Sequence, residues 1–274
     1  MSISKIRSGS SAVALLLSSS AVFADVTHQD VWGLWRSYLV GTGYEVNASE
    51  SIAGDTLTVD DLRVEMDLPE DQGSMTMSLG KLGFTELGDG TVRIDLPPSM
   101  PMQFKMNDGE NTVDVTVTAG FTGLNMIASG GADDITYNYV ASKMSITLTE
   151  LLTDGTPEAD VNAVATLSDI LGHSAMSGAN SDMIGVDQKM SAKSIAYDIA
   201  FLDENNKPFS LTGTVNGADF GGEGKVPMVD ANEDPAELFR NGFLMEGRLS
   251  QRGSSMAMNG SDDSGPFQIN ATTR

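Results

Sequence analysis

Apolar and polar residues alternate with a period of two through most of this chain, and no other feature constrains the fold as strongly. Clear runs are Leu62-Val64-Met66, Val92-Ile94-Leu96 and Val113-Val115-Val117, each interleaved with polar residues. Successive side chains of a β-strand point to opposite faces, so these runs predict strands with one buried and one solvated face. The alternation changes phase at Asp60-Asp61, which predicts a β-bulge there.

Turn-forming residues stand between the apolar runs, as expected for hairpins of antiparallel strands. The strongest pairs are Asp89-Gly90, Asp108-Gly109, Asp154-Gly155 and Asn216-Gly217. We therefore predict a mainly β fold, either a large antiparallel twisted or curved sheet or a partly open barrel. An N-terminal amphipathic helix and one or two short helices complete this prediction.

The first helix is predicted directly before the strands. Thr27 and Asp30 make an approximate capping box at its start, and Gly41 and Gly43 are stop signals. One apolar stripe follows the helical period: Val31, Leu34, Trp35, Tyr38 and Leu39. The stripe favours packing against the end of the sheet core over the alternative, an aromatic helix that docks a ligand or partner.

Two further helices are predicted later in the chain. Residues 157–171 have a capping threonine, a proline in the first turn and apolar residues at helical spacing, and residues 172–185 then read as a polar loop. A helix of one or two turns is predicted after Asp234-Pro235 and ends at Asn241-Gly242.

The first 24 residues are typical of a secretory signal peptide. Lys5 and Arg7 precede a short apolar run, and Val22-Phe23-Ala24 places small residues where a signal peptidase cleaves. We expect cleavage after Ala24, which leaves residues 25–274 as a single β-rich domain exported to the periplasm.

Charge and cysteine content narrow the class of protein. The sequence has 38 acidic and 16 basic residues, no cysteine and a net charge of −22, which becomes −24 without Lys5 and Arg7. Such a charge disfavours binding to nucleic acids and anionic membrane surfaces. Without cysteine, disulfides, thiol catalysis, zinc–thiolate sites and a lipidated N-terminal cysteine are excluded. No segment after the signal peptide is long and apolar enough to predict a transmembrane span.

Two segments carry a more specific pattern, residues 25–46 (DVTHQDVWGLWRSYLVGTGYEV) and residues 84–97 (FTELGDGTVRIDLP). They resemble an uncharacterised family of exported alphaproteobacterial proteins, known only as a domain of unknown function. The resemblance extends over most of residues 25–274 and implies export and a β-rich fold, without an activity or functional residues. Members of the family are longer, so we expect this chain to be the N-terminal part of a longer, repeat-like domain.

Motifs for chemistry are incomplete in this sequence. Gly172-His173-Ser174 begins like a nucleophile elbow, but Met176 replaces its second glycine, and only His28 or His173 could act as the base. The glycine-rich run 221–225 lacks the spacing of a phosphate-binding loop. Asp230, Asn232 and Asp234 start like a calcium loop, but Pro235 stands at the required glycine. We therefore predict no catalytic residue, no metal site and no cofactor, and a hydrolase is the weakest alternative.

Methionines are the most unusual component of the predicted strands, because the chain has 16 of them. Methionine is flexible and polarizable, and it suits an adaptable apolar surface as well as ordinary core filling. We predict a candidate ligand groove lined by Met66, Met75, Met77, Met102, Phe104, Met106 and Met144. The leading hypothesis is a non-enzymatic periplasmic protein that binds a lipid or another apolar ligand in this groove. The alternative is an envelope interaction protein that docks a partner by a sheet edge or its acidic face.

Overall fold

The fold is described from a computed structural model. The structure describes residues 25–67, 73–107, 111–158, 161–179, 181–202, 205–228, 236–262 and 265–273. The predicted signal peptide, the turn predicted at Asp108-Gly109 and the predicted calcium-loop residues Asp230, Asn232 and Asp234 lie outside these ranges.

The described residues form 15 strands joined in one sheet, with two helices. The helices are α1 (His28–Gly41) and α2 (Ala236–Arg240). The first eight strands are β1 (Glu45–Ala53), β2 (Thr56–Asp67), β3 (Gly73–Glu86), β4 (Val92–Asp95), β5 (Ser99–Asn107), β6 (Thr112–Thr122), β7 (Asn125–Gly131) and β8 (Asp134–Thr153). The other strands are β9 (Thr156–Pro157), β10 (Asn162–Ser177), β11 (Met183–Leu202), β12 (Pro208–Pro227), β13 (Leu244–Ser250), β14 (Gly253–Asp262) and β15 (Gly265–Thr273).

The sheet is an antiparallel meander in which strands pair with their neighbours in sequence. Several short strands are halves of one longer strand: β4 and β5 lie against β3, β6 and β7 lie against β8, and β13 and β14 lie against β12. The longest strands, β8, β11 and β12, each have 20 residues and extend about 66 Å at 3.3 Å per residue. The predicted mainly β, antiparallel fold is confirmed, and the sheet is partly ring-like.

The N-terminal helix forms as its sequence predicts. The Thr27 side chain accepts a hydrogen bond from the Asp30 backbone N–H, and the Asp30 carboxylate accepts one from the Thr27 backbone N–H, which completes the capping box. The helix ends at Gly41, and its core-facing residues include Val31, Trp32 and Leu34, each at most 4% exposed.

The sheet curls around α1. The Trp35 ring contacts the rings of Phe84 on β3 and Tyr137 on β8, with centroids 5.5 and 5.8 Å away. At the other end of the helix, a Cβ at Gly41 would come within 2.7 Å of the Met228 sulfur, directly after β12. One helix can reach β3, β8 and β12 only if the sheet bends around it. We call the face that packs against α1 the inner face and the opposite one the outer face.

The main core lies between α1 and one end of the inner face. It includes Phe84, Val92, Ile135 and Ile184, which are at most 1% exposed. A second, smaller cluster of Ala141, Leu167, Ile170 and Ala192 lies further along the strands. The main core confirms that the stripe of α1 fills the end of the sheet.

The helix predicted for residues 157–171 is wrong, because most of this segment forms β10, which pairs with β8 and β11. A left-handed residue explains the misleading spacing: Asp169 has φ 48°, and Leu167 and Ile170 on either side of it both belong to the smaller core cluster. Residues 172–185 are likewise mostly strand and not a loop. The apolar residues of the segment predicted as a helix therefore have helical spacing in sequence because the strand that they form is irregular.

The turn predictions at Asp89-Gly90 and Asp154-Gly155 are confirmed, whereas the hairpin predicted at Asn216-Gly217 is wrong. Asn216 and Gly217 lie inside β12, where the strand changes partner from β14 to β13. Gly217 has φ 58°, so the turn-forming residues serve a local irregularity of a long strand. The predicted bulge at Asp60-Asp61 is confirmed by a register shift and by φ 53° at Asp61.

Within the described ranges, neither helix has the length and apolar character needed to cross a membrane.

Candidate functional site

The predicted groove residues lie together on the inner face. Residues paired across antiparallel strands share a face, so the pairing register identifies cross-strand rows. One row contains Met66, Met75, Phe104, Val115 and Leu151. The next contains Val64, Met77, Met102, Val117 and Leu148. Both rows cross the strands from β2 to β8.

The remaining two predicted groove residues sit at the margins of this surface. Met106 pairs with Gly73 and Val113 near the ends of their strands and is 44% exposed. Met144 on β8 pairs with Phe121 and Leu167. It lies two rows from the second row, in the direction of the smaller core cluster. The seven residues therefore belong to one apolar surface but not to one tight pocket.

The apolar surface continues well beyond the predicted residues. A third row spans eight strands, from β5 to β15: Met100, Ala119, Ile146, Ala165, Tyr197, Gly213, Met256 and Ala271. A fourth row crosses the C-terminal strands: Ala163, Ile199, Leu211, Met258 and Ile269. None of the residues in the four rows is charged. We call these four rows the open half of the inner face. Val64 belongs to the main core cluster around α1 and Met77 packs against it, whereas the other side chains of the four rows lie outside that cluster.

Charged groups on the inner face are instead found beside α1, where they have partners. Trp32 Nε1 donates a hydrogen bond of 2.7 Å to Glu50 on β1, and Arg36 lies 3.6 Å from the same carboxylate. The His28 backbone N–H donates to Glu86 on β3 at 3.2 Å. These contacts hold the helix against β1 and β3, and the charged residues that make them lie outside the open half.

Aromatic rings lie over glycines at three places on the inner face. The pairs are Tyr139 over Gly172, Tyr197 over Gly213, and Phe267 over Gly260. A Cβ at Gly172 would overlap the Tyr139 ring, and a Cβ at Gly260 would lie 2.6 Å from Phe267 Cζ. Because the rings occupy the space of missing side chains, they lie close to the sheet, as in the aromatic rescue of glycine in designed sheets.

Two cavities lie at opposite ends of the long C-terminal strands. The helix-end cavity has a volume of about 480 Å³ and lies among α1, β8, β11, β12 and β13. Its lining includes Tyr38, Tyr139, Gln188, Met190 and Phe220. The second cavity, of about 590 Å³, lies among the ends of β11, β12, β14 and β15.

The second cavity is bordered by three phenylalanines of the inner face. Phe201 and Phe209 pair across β11 and β12, and their rings stack with centroids 4.8 Å apart. Phe267 on β15 lines the same cavity. Both cavities lie within the size range of small-molecule sites, which is about 300–1,000 Å³.

The phenols at the helix-end cavity remain uncharged over the physiological pH range. Burial raises the pKa of Tyr139, and burial together with the nearby Tyr44 phenol raises the pKa of Tyr38. Burial also raises the pKa of Tyr137, which packs under Trp35. Protonated phenols can donate a hydrogen bond, so the cavity offers neutral polar groups.

The residues considered for hydrolysis do not form a nucleophile elbow. Gly172, His173 and Ser174 are in the middle of β10, where a nucleophile elbow would require a turn between strand and helix. His173 Nδ1 is 3.0 Å from Asn138 Oδ1, and His28 is at the start of α1 beside Glu86. Among the described residues, no three His, Cys, Asp or Glu side chains are grouped to hold a metal ion.

The helix-end cavity is the feature that sequence reasoning missed. The sequence signal for this cavity is the glycine-rich run 221–225 of β12, which lacks the spacing of a phosphate-binding loop. Alternate residues of this run lie on opposite faces of the sheet. Gly222 pairs with Gln188 and Gly247, and Gly224 pairs with Val186 and Met245. The missing side chains of these inner-face glycines leave the space in which the cavity forms.

No protein-family model matches the chain, and neither a curated protein nor a solved structure matches it.

Proposed function

We propose that this protein is a non-enzymatic binding protein of the periplasm that holds a lipid or another apolar ligand against the open half of its inner face. Residues 1–24 would direct its export, and the domain that starts at Asp25 would carry the binding surface. The length of the strands suits an elongated ligand that lies along them.

One observation carries the proposal: uncharged, mostly apolar rows extend across the sheet beyond the part that α1 covers. Met75, Met77, Met102 and Phe104 are half-buried, and further side chains of the same face, such as Ile146 and Ile269, are 37% and 49% exposed. Large exposed apolar surfaces mark binding sites in soluble proteins. Methionines allow such a surface to adapt to chains of different shape.

Titration with a fluorescent apolar probe, N-phenyl-1-naphthylamine, tests the proposal. Met102→Lys places a charge in the middle of the second row, whereas Gln103→Lys places the same charge on the outer face of the same strand. We expect the probe to bind the wild-type protein and the Gln103→Lys variant equally. We expect at least about ten-fold weaker binding to Met102→Lys, because the bound probe would remove water from the lysine charge, which is costly.

Equal probe binding by both lysine variants would contradict the proposal, as would the absence of binding to the folded wild-type protein. Intact-mass analysis of the protein from its own cells tests the export step. The proposal expects a mature N-terminus at Asp25, and a retained Met1 on the exported protein would contradict it.

A specific feature of β15 supports a second candidate function, docking of a partner strand at the sheet edge. None of the nine residues of β15 is charged, its one proline, Pro266, stands at the second position, and within the described ranges its outer edge pairs with no strand. Natural edge strands usually carry charges, bulges or prolines that prevent strand addition. Asn270→Lys should remove a co-purifying partner protein that Met102→Lys retains, and retention by both variants would contradict edge docking.

A further inference from the structure

The helix-end cavity has a floor of glycines and walls of larger apolar side chains. Gly222, Gly224 and Gly247 occupy adjacent inner-face positions of β12 and β13. Rows on either side carry the walls: Met190, Phe220 and Leu249 on one side, and Val186 and Met245 on the other. Missing side chains at three neighbouring positions explain why a cavity of about 480 Å³ forms at this place.

The polar side chains that lie on the inner face at this cavity are uncharged. Gln188 is the inner-face partner of Gly222, and Tyr38 and Tyr139 border the cavity from α1 and β8. Glu223, Glu246 and Arg248 also line the cavity, but they alternate with the glycines along their strands, so their side chains leave the sheet on its outer face. The cavity thus combines apolar walls with amide and phenol groups and has no inward charge among these residues.

A ligand that fits this cavity must form hydrogen bonds with the amide of Gln188 and the two phenols, and it must itself be uncharged. A carboxylate or phosphate in the cavity would be desolvated without a cationic partner, which is costly. A hydroxyl, ester or amide can exchange hydrogen bonds with Gln188 and the tyrosines. The net charge of the protein, −22, adds a long-range repulsion of anions.

We propose that the helix-end cavity binds the neutral polar end of an uncharged amphiphile, such as an alcohol or monoester with a hydrocarbon chain. This inference rests on the proposed function and extends it by stating the class of ligand and the place of its polar end. The hydrocarbon chain would continue along the apolar rows away from α1.

Gly247→Leu tests the site, because it fills the cavity without a clash. The nearest atom to a Cβ at Gly247 is the Gly221 carbonyl oxygen, 4.0 Å away, and the glycine does not have a positive φ. The matched control is Ser250→Leu, which adds the same side chain to the outer face of the same strand. Unchanged thermal melting of both variants verifies that they fold.

The measurement is displacement of the naphthylamine probe by dodecanol and by dodecanoate, two ligands with the same chain and different ends. We expect the wild-type protein to prefer dodecanol at least about ten-fold. Gly247→Leu should weaken dodecanol binding about ten-fold, and Ser250→Leu should leave it unchanged. Gln188→Leu should weaken dodecanol about five-fold, the contribution of one hydrogen bond of about 1 kcal/mol.

Equal affinity for dodecanol and dodecanoate, or equal behaviour of the two leucine variants, would overturn this inference. The naphthylamine probe would then still bind the wild-type protein and lose affinity for Met102→Lys, so the proposed function would stand. If the probe does not bind the wild-type protein at all, the proposed function itself is wrong.

Discussion

Individual glycines determine how close the aromatic rings of the inner face lie to the sheet. Gly172 and Gly213 are each covered by a tyrosine from the neighbouring strand. The rings bury apolar area without standing above the surface, so the inner face keeps space for a ligand. Backbone conformation does not require glycine at either position, because neither residue has a positive φ.

Gly172→Ala should therefore destabilise the protein by about 1–3 kcal/mol, because the new Cβ displaces the Tyr139 ring. Gly83→Ala is the matched control, since the nearest atom to its Cβ would be Asp95 Cβ at 3.5 Å. The free energy of unfolding in urea measures both. A cost for Gly83→Ala as large as that for Gly172→Ala would contradict the steric explanation.

The contact between Trp32 and Glu50 makes a second prediction about single residues. Glu50→Ala leaves the indole N–H of a residue that is 4% exposed without its acceptor, and we expect a loss of about 1–2 kcal/mol. Glu50→Gln keeps an acceptor oxygen and should cost about half as much. Chemical denaturation with tryptophan fluorescence measures both, and equal losses would show that the hydrogen bond contributes nothing.

Among the strands, β10 shows why local pattern and final structure differ. The segment predicted as a helix has a helix cap, a proline in the first turn and apolar residues at helical spacing, yet from Asn162 onward it forms a strand between β8 and β11. Pairing on both sides outweighs a helix preference of a few tenths of a kcal/mol per residue. Such pairing depends on strands far away in the sequence, so a local pattern cannot reveal it.

The irregularity in β10 can be tested at Asp169, its left-handed residue. Its φ of 48° costs an L-residue roughly 1–2 kcal/mol, and Asp and Asn tolerate it best. Asp169→Val should destabilise the protein by about that amount, whereas Asp169→Asn should be nearly neutral. The ion pair with Lys193 is 3.2 Å long but mostly exposed and contributes little. Equal stability of the two variants in thermal unfolding would contradict a strained backbone at position 169.

Elements with local signals were predicted well from the sequence. The capping box and apolar stripe located α1, and the alternation located β2 to β8 and the methionines of their inner face. The helix-end cavity could not be predicted, because it depends on Gly222 and Gly247 being adjacent in the sheet and on Tyr38 reaching them from α1. These contacts arise only when the sheet curls around the helix.

For the molecule as a whole, the curl around α1 makes stability dependent on pH at the alkaline end. Burial raises the pKa values of Tyr38, Tyr137 and Tyr139 above the ordinary value of about 10. Above pH 10 the unfolded chain loses these protons first, so the unfolded state gains stability relative to the folded one. The contribution is fully present below pH 10 and is lost as the pH rises beyond it.

Comparison of the wild-type protein with Tyr137→Phe isolates this effect from the general repulsion of the acidic chain. The free energy of unfolding should fall less steeply between pH 9 and pH 11 in the variant, because phenylalanine has no proton to lose. Parallel curves for the two proteins would contradict a perturbed Tyr137.

The central claim, an apolar ligand on the open half of the inner face, is tested most directly by photo-crosslinking with a diazirine-labelled acyl chain. Mass spectrometry of the peptides then locates the adducts. The account predicts adducts on inner-face residues such as Met77, Met102 and Leu148, and few on the outer-face neighbours Gln103 and Thr116. Adducts spread equally over both faces, or confined to the outer face, would contradict it.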